Sequence, residues 1–148
     1  MEKKKGLSPY IKQLEALTKI SQAITSDLYI EDILKLIVTV TAKVMGSKIC
    51  SLMLLDEEKN ELVIRATQSI SDEYNKKPNV RLNEGIAGRV AKNGHPIAVL
   101  DVRKDPNYIN RKMAEKEGLC SLLSVPMKVK GKTIGVINSY TSHLYKFS

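Results

Sequence analysis

The sequence predicts an α+β domain: a central antiparallel sheet of five to six strands with helices on one or both faces. Three observations carry that expectation. From Leu7 to Met45 apolar residues recur at three- and four-residue steps, the period of helices. From Ile49 onward, short apolar runs are separated by polar turns, the pattern of strands. Single short helices interrupt those strand pairs irregularly, which describes hairpins with helices packed on them.

The first helix is carried by Leu7, Tyr10, Leu14, Leu17, Ile24 and Leu28, which share one stripe, with Ser21 in the slot where the series lapses. Ile11 and Ile20 widen the stripe. Such a stripe can seam against an identical helix as a short coiled coil, or lie on its own domain; the spacing fits both. After a short joint at 25–29 a second helix begins. Ser26 or Asp27 can cap it, Glu31 and Asp32 suit its positive end, and Gly46 can close it. Its buried face is expected to hold Ile30, Ile33, Leu34, Ile37, Val40, Val44 and Met45.

Ile49 to Leu55 and Glu61 to Thr67 read as a hairpin joined by the polar loop Asp56-Glu57-Glu58-Lys59-Asn60. Residues 68–83 are polar, contain Pro78, and are expected to form an irregular loop or a short strand. Gly85 to Lys92 reads as a short helix stopped by Asn93-Gly94, and Pro96 to Leu100 as a strand. A loop follows from Asp101 to Asn110, with Asp105-Pro106 as its turn. The helix Arg111 to Glu117 ends at Gly118. Leu119 to Val129 and Thr133 to Tyr140 are the strongest strands, turned by Lys130-Gly131. Pro126 removes a ladder donor, so it should sit at a bulge or beside a sheet edge.

Composition bounds the function classes. The chain has 148 residues, enough for one domain with a real core. With no Trp and one Phe, that core must be aliphatic. The net charge of +8 comes mostly from scattered lysines without interleaved aromatics. That favours a solvated surface over a nucleic-acid patch, so no specific nucleic acid is expected. Cys50 and Cys120 are the only cysteines, too few for a disulfide framework, which points to a reducing compartment. No apolar run is long enough to span a bilayer and no signal core follows the basic start, so a cytoplasmic protein without a membrane partner is expected.

Taken in order, several segments resemble the GAF domain family over about residues 14–147. Cys50-Ser51-Leu52-Met53-Leu54-Leu55-Asp56 is similar to the family's first strand, and Gly85-Ile86-Ala87-Gly88-Arg89-Val90-Ala91 to its G-I-A-G-x-V-A helix start. The run from Asp101 to Asp105-Pro106-Asn107-Tyr108 resembles its D-x-x-x-D-P loop. Ser124-Val125-Pro126-Met127 and Ile134-Gly135-Val136-Ile137-Asn138 resemble its closing strands. Independently of the family, Gly85 and Gly88 permit a tight helix entry whose free amides can bind a polar group, or simply ease packing on the sheet.

The resemblance implies a pocket between the sheet and the helices and loops on one face. It carries the ligand-binding role to Ser51, Thr67, Gln68, Ile86, Ala87, Cys120 and Asn138. Ser51 and Asn138 could equally be hydrogen-bonded core residues, and Cys120 a small buried apolar one. Thr141 and the end at Lys146-Phe147-Ser148 depart from the cyclic-nucleotide-binding pattern, and the family's final helix is expected to be missing from this chain. Tyr108 to Arg111 occupy the region where bilin-carrying members place a Cys, so no covalent bilin is expected. His95, in a turn, and His143, in the terminal segment, do not invite a haem. The cofactor stays unknown.

No catalytic or metal set is expected: no Ser-His-Asp constellation, metal-ligand spacing or P-loop is present. The expected function is a small-molecule-sensing regulatory domain of a sensor histidine kinase. Residues 1–27 would be a signalling helix that forms a homodimer, and 28–148 the sensory domain. The alternatives are a ligand-free dimerisation and spacer module of a diguanylate cyclase or transcriptional activator, or a thiol-dependent free methionine sulfoxide reductase.

Overall fold

A computed structural model describes residues 2–24, 27–68, 74 and 78–147, and the side chains of 8–20, 29–68, 74 and 78–147. The chain divides into two compact units, Met1–Ile33 and Leu34–Ser148. In the first, helix α1 spans Glu2–Ile24 with Pro9 inside it, so it starts and ends earlier than the apolar stripe predicts. Tyr10, Ile11, Leu14, Leu17 and Ile20 on it are all more than half exposed. The side chains of Leu7, Ile24 and Leu28, and the candidate cap Ser26, lie outside the described residues.

Helix α2 spans Asp27–Met45 and crosses from the first unit into the second. Its buried side keeps Leu34 and Ile37 of the expected one and departs from the rest. Leu34, Val38 and Ala42 are the buried residues, with Ile37 beside them, while Val40 is 50% and Val44 78% exposed. Ile30, Ile33 and Met45 are exposed as well. The helix is apolar around most of its circumference, so periodicity could not fix its phase. The small Ala42, two turns after Leu34, joins the same buried cluster as Cys50, Leu52 and Ala66.

The second unit is built on six antiparallel strands in the order β3-β2-β1-β6-β5-β4. These are β1 (Ile49–Asp56), β2 (Glu61–Thr67), β3 (Val80–Arg81), β4 (Ile97–Val99), β5 (Leu122–Val129) and β6 (Lys132–Tyr140). Helix α3 (Gly85–Asn93) follows β3, and α4 (Arg111–Glu117) follows β4. The turns behave as their residues dictate. Asp56 Oδ1 accepts from the amides of Glu58 and Lys59, and Asn60 takes a φ of 52° to close the first hairpin. Lys130 and Gly131, with φ of 50° and 78°, form the two-residue turn between β5 and β6.

Two features shape the sheet. Leu52 pairs with Ala66 but Met53 with Ile64, so Arg65 is an extra residue that kinks β2. Among the described residues, β5 has no partner on the β4 side beyond Ser124, so Pro126 costs no ladder bond there. Strand β5 begins at Leu122 rather than Leu119, because residues 119–121 bridge neighbouring segments. The Cys120 amide donates to Thr141 O, the Thr141 amide to Ser121 O, and the Val102 amide to Cys120 O.

Side-chain alternation splits the core in two. On one face Cys50, Leu52, Ala66 and Ile137 meet α2. On the other, Ile49, Met53, Leu122, Val136 and Tyr140 form a larger cluster with Ile86 and Val90 of α3, Tyr108 of the 101–110 loop and Ala114 of α4. This second face carries the candidate site.

Candidate functional site

Strand register lays a polar row across this second face. Ser51 pairs with Thr67 on one side and Asn138 on the other, and Asn138 pairs with Ser124. Four strands thus contribute one polar residue each at the same level. Ser124 Oγ donates to Asn138 Oδ1 at 2.7 Å, and Asn138 Nδ2 lies 3.5 Å from Met53 Sδ. Ser51 Oγ is 2.6 Å from the hydroxyl of Tyr74. Ser51, Ser124 and Asn138 are almost completely buried.

The adjacent level is Ile49, Tyr140 and Leu122. Tyr140 stands edge-on to two rings, Tyr74 at 5.7 Å and Tyr108 at 6.2 Å between centroids. Its hydroxyl is 3.1 Å from that of Tyr108. Burial pushes the Tyr108 phenol up to about 12, against the opposing effect of its bond to Tyr140. Burial, reinforced by the neighbouring tyrosines, holds Tyr140 well above the ordinary phenol value. Both stay neutral at physiological pH.

The roof comes from the start of α3 and from the 101–110 loop. Gly85, with φ of 60°, turns the chain into α3, which has no side-chain cap at Glu84. The loop is shaped by its two aspartates. Asp101 takes a two-point bond from Arg103, with Nε at 2.8 Å and Nη2 at 3.0 Å, and Asp105 Oδ1 accepts from the Asn107 amide at 2.8 Å. The Arg103 bond lowers the Asp101 carboxyl below its ordinary range. These turns are the physical content of the two-aspartate loop motif, and they deliver Tyr108 into the core.

Between roof and sheet lies a cavity of about 20 Å³, room for about one water molecule. Ile86, Ala87, Tyr108, Ile109, Asn138 and Tyr140 are among its lining residues, and among the described residues no charged side chain is. Of the residues singled out in the sequence, the structure therefore brings Ile86, Ala87 and Asn138 to the cavity and Ser51 to the floor beside it. Thr67 sits opposite Ser51, its carbonyl taken by Lys35 Nζ. Gln68 is tied to β1 instead: its side chain donates to Lys48 O and accepts from the Cys50 amide, both at 3.2 Å. Cys120 is buried outside the lining, before β5.

Sequence reasoning did not assign a site role to Tyr74, Tyr108, Tyr140 or Ser124. Two of these had a usable signal. Tyr140 is two residues after Asn138 and must share its face, and Ser124 opens one of the family-like motifs.

The remaining chemistry is sparse. Cys50 lies on the α2 face, away from the cavity, and burial pushes its thiol up to about 11. Both cysteines are free. His95 and His143 are exposed and line no part of this cavity. The Thr141 hydroxyl is taken up by the Ser121 amide and the His143 carbonyl. Among the described residues no His, Cys, Asp and Glu cluster could hold a metal ion, and no helix is long and apolar enough to cross a membrane.

Residues 28–148 match a family profile described as the GAF domain. The chain is similar to the Nif-specific regulatory protein of Azospirillum lipoferum, with 30% identity over 129 residues covering 84% of this chain and 20% of that protein. It is also similar to a methyl sulfide methyltransferase-associated sensor of Methanosarcina acetivorans, with 29% identity over 127 residues, 82% of this chain and 13% of that one. The chain thus spans a fifth or less of the length of these relatives. Among solved structures, the GAF domain of a phosphoenolpyruvate-protein phosphotransferase from Coxiella burnetii matches with a TM-score of 0.69 and 27% identity, over 90% of this chain and 80% of that one.

Proposed function

The chain belongs to the GAF domain family, a regulatory module, and we propose that it senses a small molecule held over the polar row of its sheet. The observation that carries this reading is the polarity of the buried floor. A sheet face needed only for packing is filled most cheaply with aliphatic side chains, because each buried hydroxyl or amide must find a partner. Here Ser51, Ser124, Asn138, Tyr74, Tyr108 and Tyr140 are all buried together. Ligand binding would shift the population of the described roof segment, 100–118, toward one arrangement.

In this reading residues 1–27 are a signalling helix and 28–148 the sensory domain. The partner is a second copy of the chain, joined along Tyr10, Leu14 and Leu17, which form an exposed apolar stripe. The flanking Ile11, Gln13, Thr18 and Ile20 carry no charge, so these positions add no repulsion between parallel copies. The output is a sensor histidine kinase, on the strength of the sequence resemblance. A transcriptional regulator is the second output, favoured by the 30% identity to a Nif-specific regulatory protein. No reaction is assigned to this chain: its high-lying Cys50 thiol and separate Cys120 do not form an attacking and resolving pair. The free thiols fit a reducing cytoplasm.

Native mass spectrometry of freshly purified protein tests the sensing role. A co-purified small molecule, lost on Asn138→Leu, is the expected result. Its absence under every growth condition tried would favour the ligand-free spacer, the reading that the small cavity volume supports. Sedimentation of the wild type against Leu14→Glu/Leu17→Glu tests the dimer, since a wild-type monomer at high concentration contradicts it.

A further inference from the structure

We propose that Tyr108 is a tethered stand-in for the ligand: its phenol fills the receptor site in the unliganded chain and swings out when a ring-sized, uncharged molecule takes its place. This deepens the sensing role proposed above and rests on it. Three observations lead here. The cavity is small, at about 20 Å³, and the Tyr108 ring, only 4% exposed, lines it from the roof side. The ring enters edge-on to Tyr140 and ends in a hydroxyl pair at 3.1 Å, so it already makes the contacts a phenol-like ligand would make. Among the described residues no charged side chain lines the space, so a neutral ligand meets no unpaired charge on them.

Tyr108 is also the ring placed to leave. Tyr140 lies in β6 with ladders on both sides, to Ile49 and to Leu122. Tyr108 lies in a loop most of whose described backbone hydrogen bonds are its own. Past Val102, which is tied to Cys120, the amides of Arg103, Lys104, Asn107 and Tyr108 all donate within the loop. Asn107 and Ile109 on either side of Tyr108 are exposed. Among the described residues, the Tyr108 side chain and the contact of Ile109 with Gly85 hold this stretch down. The loop can therefore move as a unit, with its two aspartate turns intact, and expose the polar row. The ligand class follows from the space vacated: a small planar molecule, neutral, with a hydrogen-bonding group at the end that meets Tyr140.

The probe is 4-methylphenol, the tyrosine side chain itself, titrated into the full chain carrying ring-labelled tyrosine and followed by NMR. The Tyr108 ring is expected to pass from a buried to a solvent-exposed signal at saturation, while 4-methylbenzenesulfonate, equal in shape but charged, leaves it unmoved. Folded Tyr108→Ala should bind 4-methylphenol at least tenfold more tightly than wild type, because the tethered competitor is gone. Adding Tyr140→Phe should weaken that binding about tenfold, the worth of one hydrogen bond. A Tyr108 ring that stays buried in wild type, or binding confined to the Ala variant as in any engineered cavity, overturns the proposal. If the Ala variant does not fold, the wild-type titration decides alone. Opening for 4-methylphenol in a protein that never carries a co-purified molecule supports the stand-in and counts only against the sensing role. A co-purified ligand bound with Tyr108 still buried does the reverse.

Discussion

A Cβ added to Gly88 would stand 2.3 Å from the carbonyl oxygen of Arg81, so α3 and the β3 edge touch backbone to backbone. That contact fixes the height at which Ile86 and Ala87 sit over the cavity. Alanine in a helix is worth up to about 1 kcal/mol over glycine, but the neighbour here is main chain and cannot rotate away. Overpacking of this kind costs roughly 1–3 kcal/mol, and the clash wins. Gly88→Ala is expected to lose about 1–2 kcal/mol net in urea unfolding. A variant as stable as wild type would mean that α3 can shift freely on the sheet.

The Ser124–Asn138 pair should show the asymmetry of buried hydrogen bonds. Ser124→Ala leaves Asn138 Oδ1 buried with its donor gone, which costs about 1–3 kcal/mol. Replacing both groups removes the unmet polar atom, so Ser124→Ala/Asn138→Leu is expected to recover at least half of that loss. A double-mutant cycle measured by denaturant midpoint checks this, and strictly additive losses would contradict it.

These two contacts also mark what was legible in the sequence. The strands and their turns could be read because each turn residue acts locally: Asp56 bonds to the next amides, and Gly131 supplies a positive φ. Ile86 and Asn138 could be placed through motifs that keep their order along the chain. Thr67 and Gln68 could not be separated, because only register shows that one residue faces Ser51 and the next bonds back to β1. The tyrosine cluster was hidden for a similar reason: its three rings come from positions 74, 108 and 140 and meet only in space.

The phase of α2 gives the sharpest contrast between neighbouring valines. Val38 is fully buried among Cys50, Leu52 and Ala66, whereas Val44 is 78% exposed. Removing two buried methyl groups loses about 0.8 kcal/mol for each carbon plus a cavity term. Val38→Ala is expected to cost about 2 kcal/mol, and Val44→Ala less than about 0.5 kcal/mol. Equal losses in thermal or urea unfolding would show that α2 rests on the sheet by the face its periodicity first indicated.

Stability at alkaline pH should report the buried phenol at 108. In the unfolded chain Tyr108 ionises near its ordinary value of 10.0, but in the folded chain only near about 12. A raised folded value means a contribution that is complete below 10 and is lost as pH climbs through 12. Over that window the loss reaches about 2–3 kcal/mol, since each unit is worth about 1.4 kcal/mol. Cys50 adds a similar decline starting lower, between 9.0 and about 11. Tyr108→Phe keeps the ring and discards the titration. At pH 7 it lacks one hydrogen bond and should be less stable than wild type by about 1 kcal/mol. Because it escapes the alkaline loss, its stability curve should cross that of wild type near pH 11. Urea unfolding of both proteins at pH 7, 9, 10 and 11 measures the crossing, and parallel curves would mean that the phenol is not held in the dry environment described.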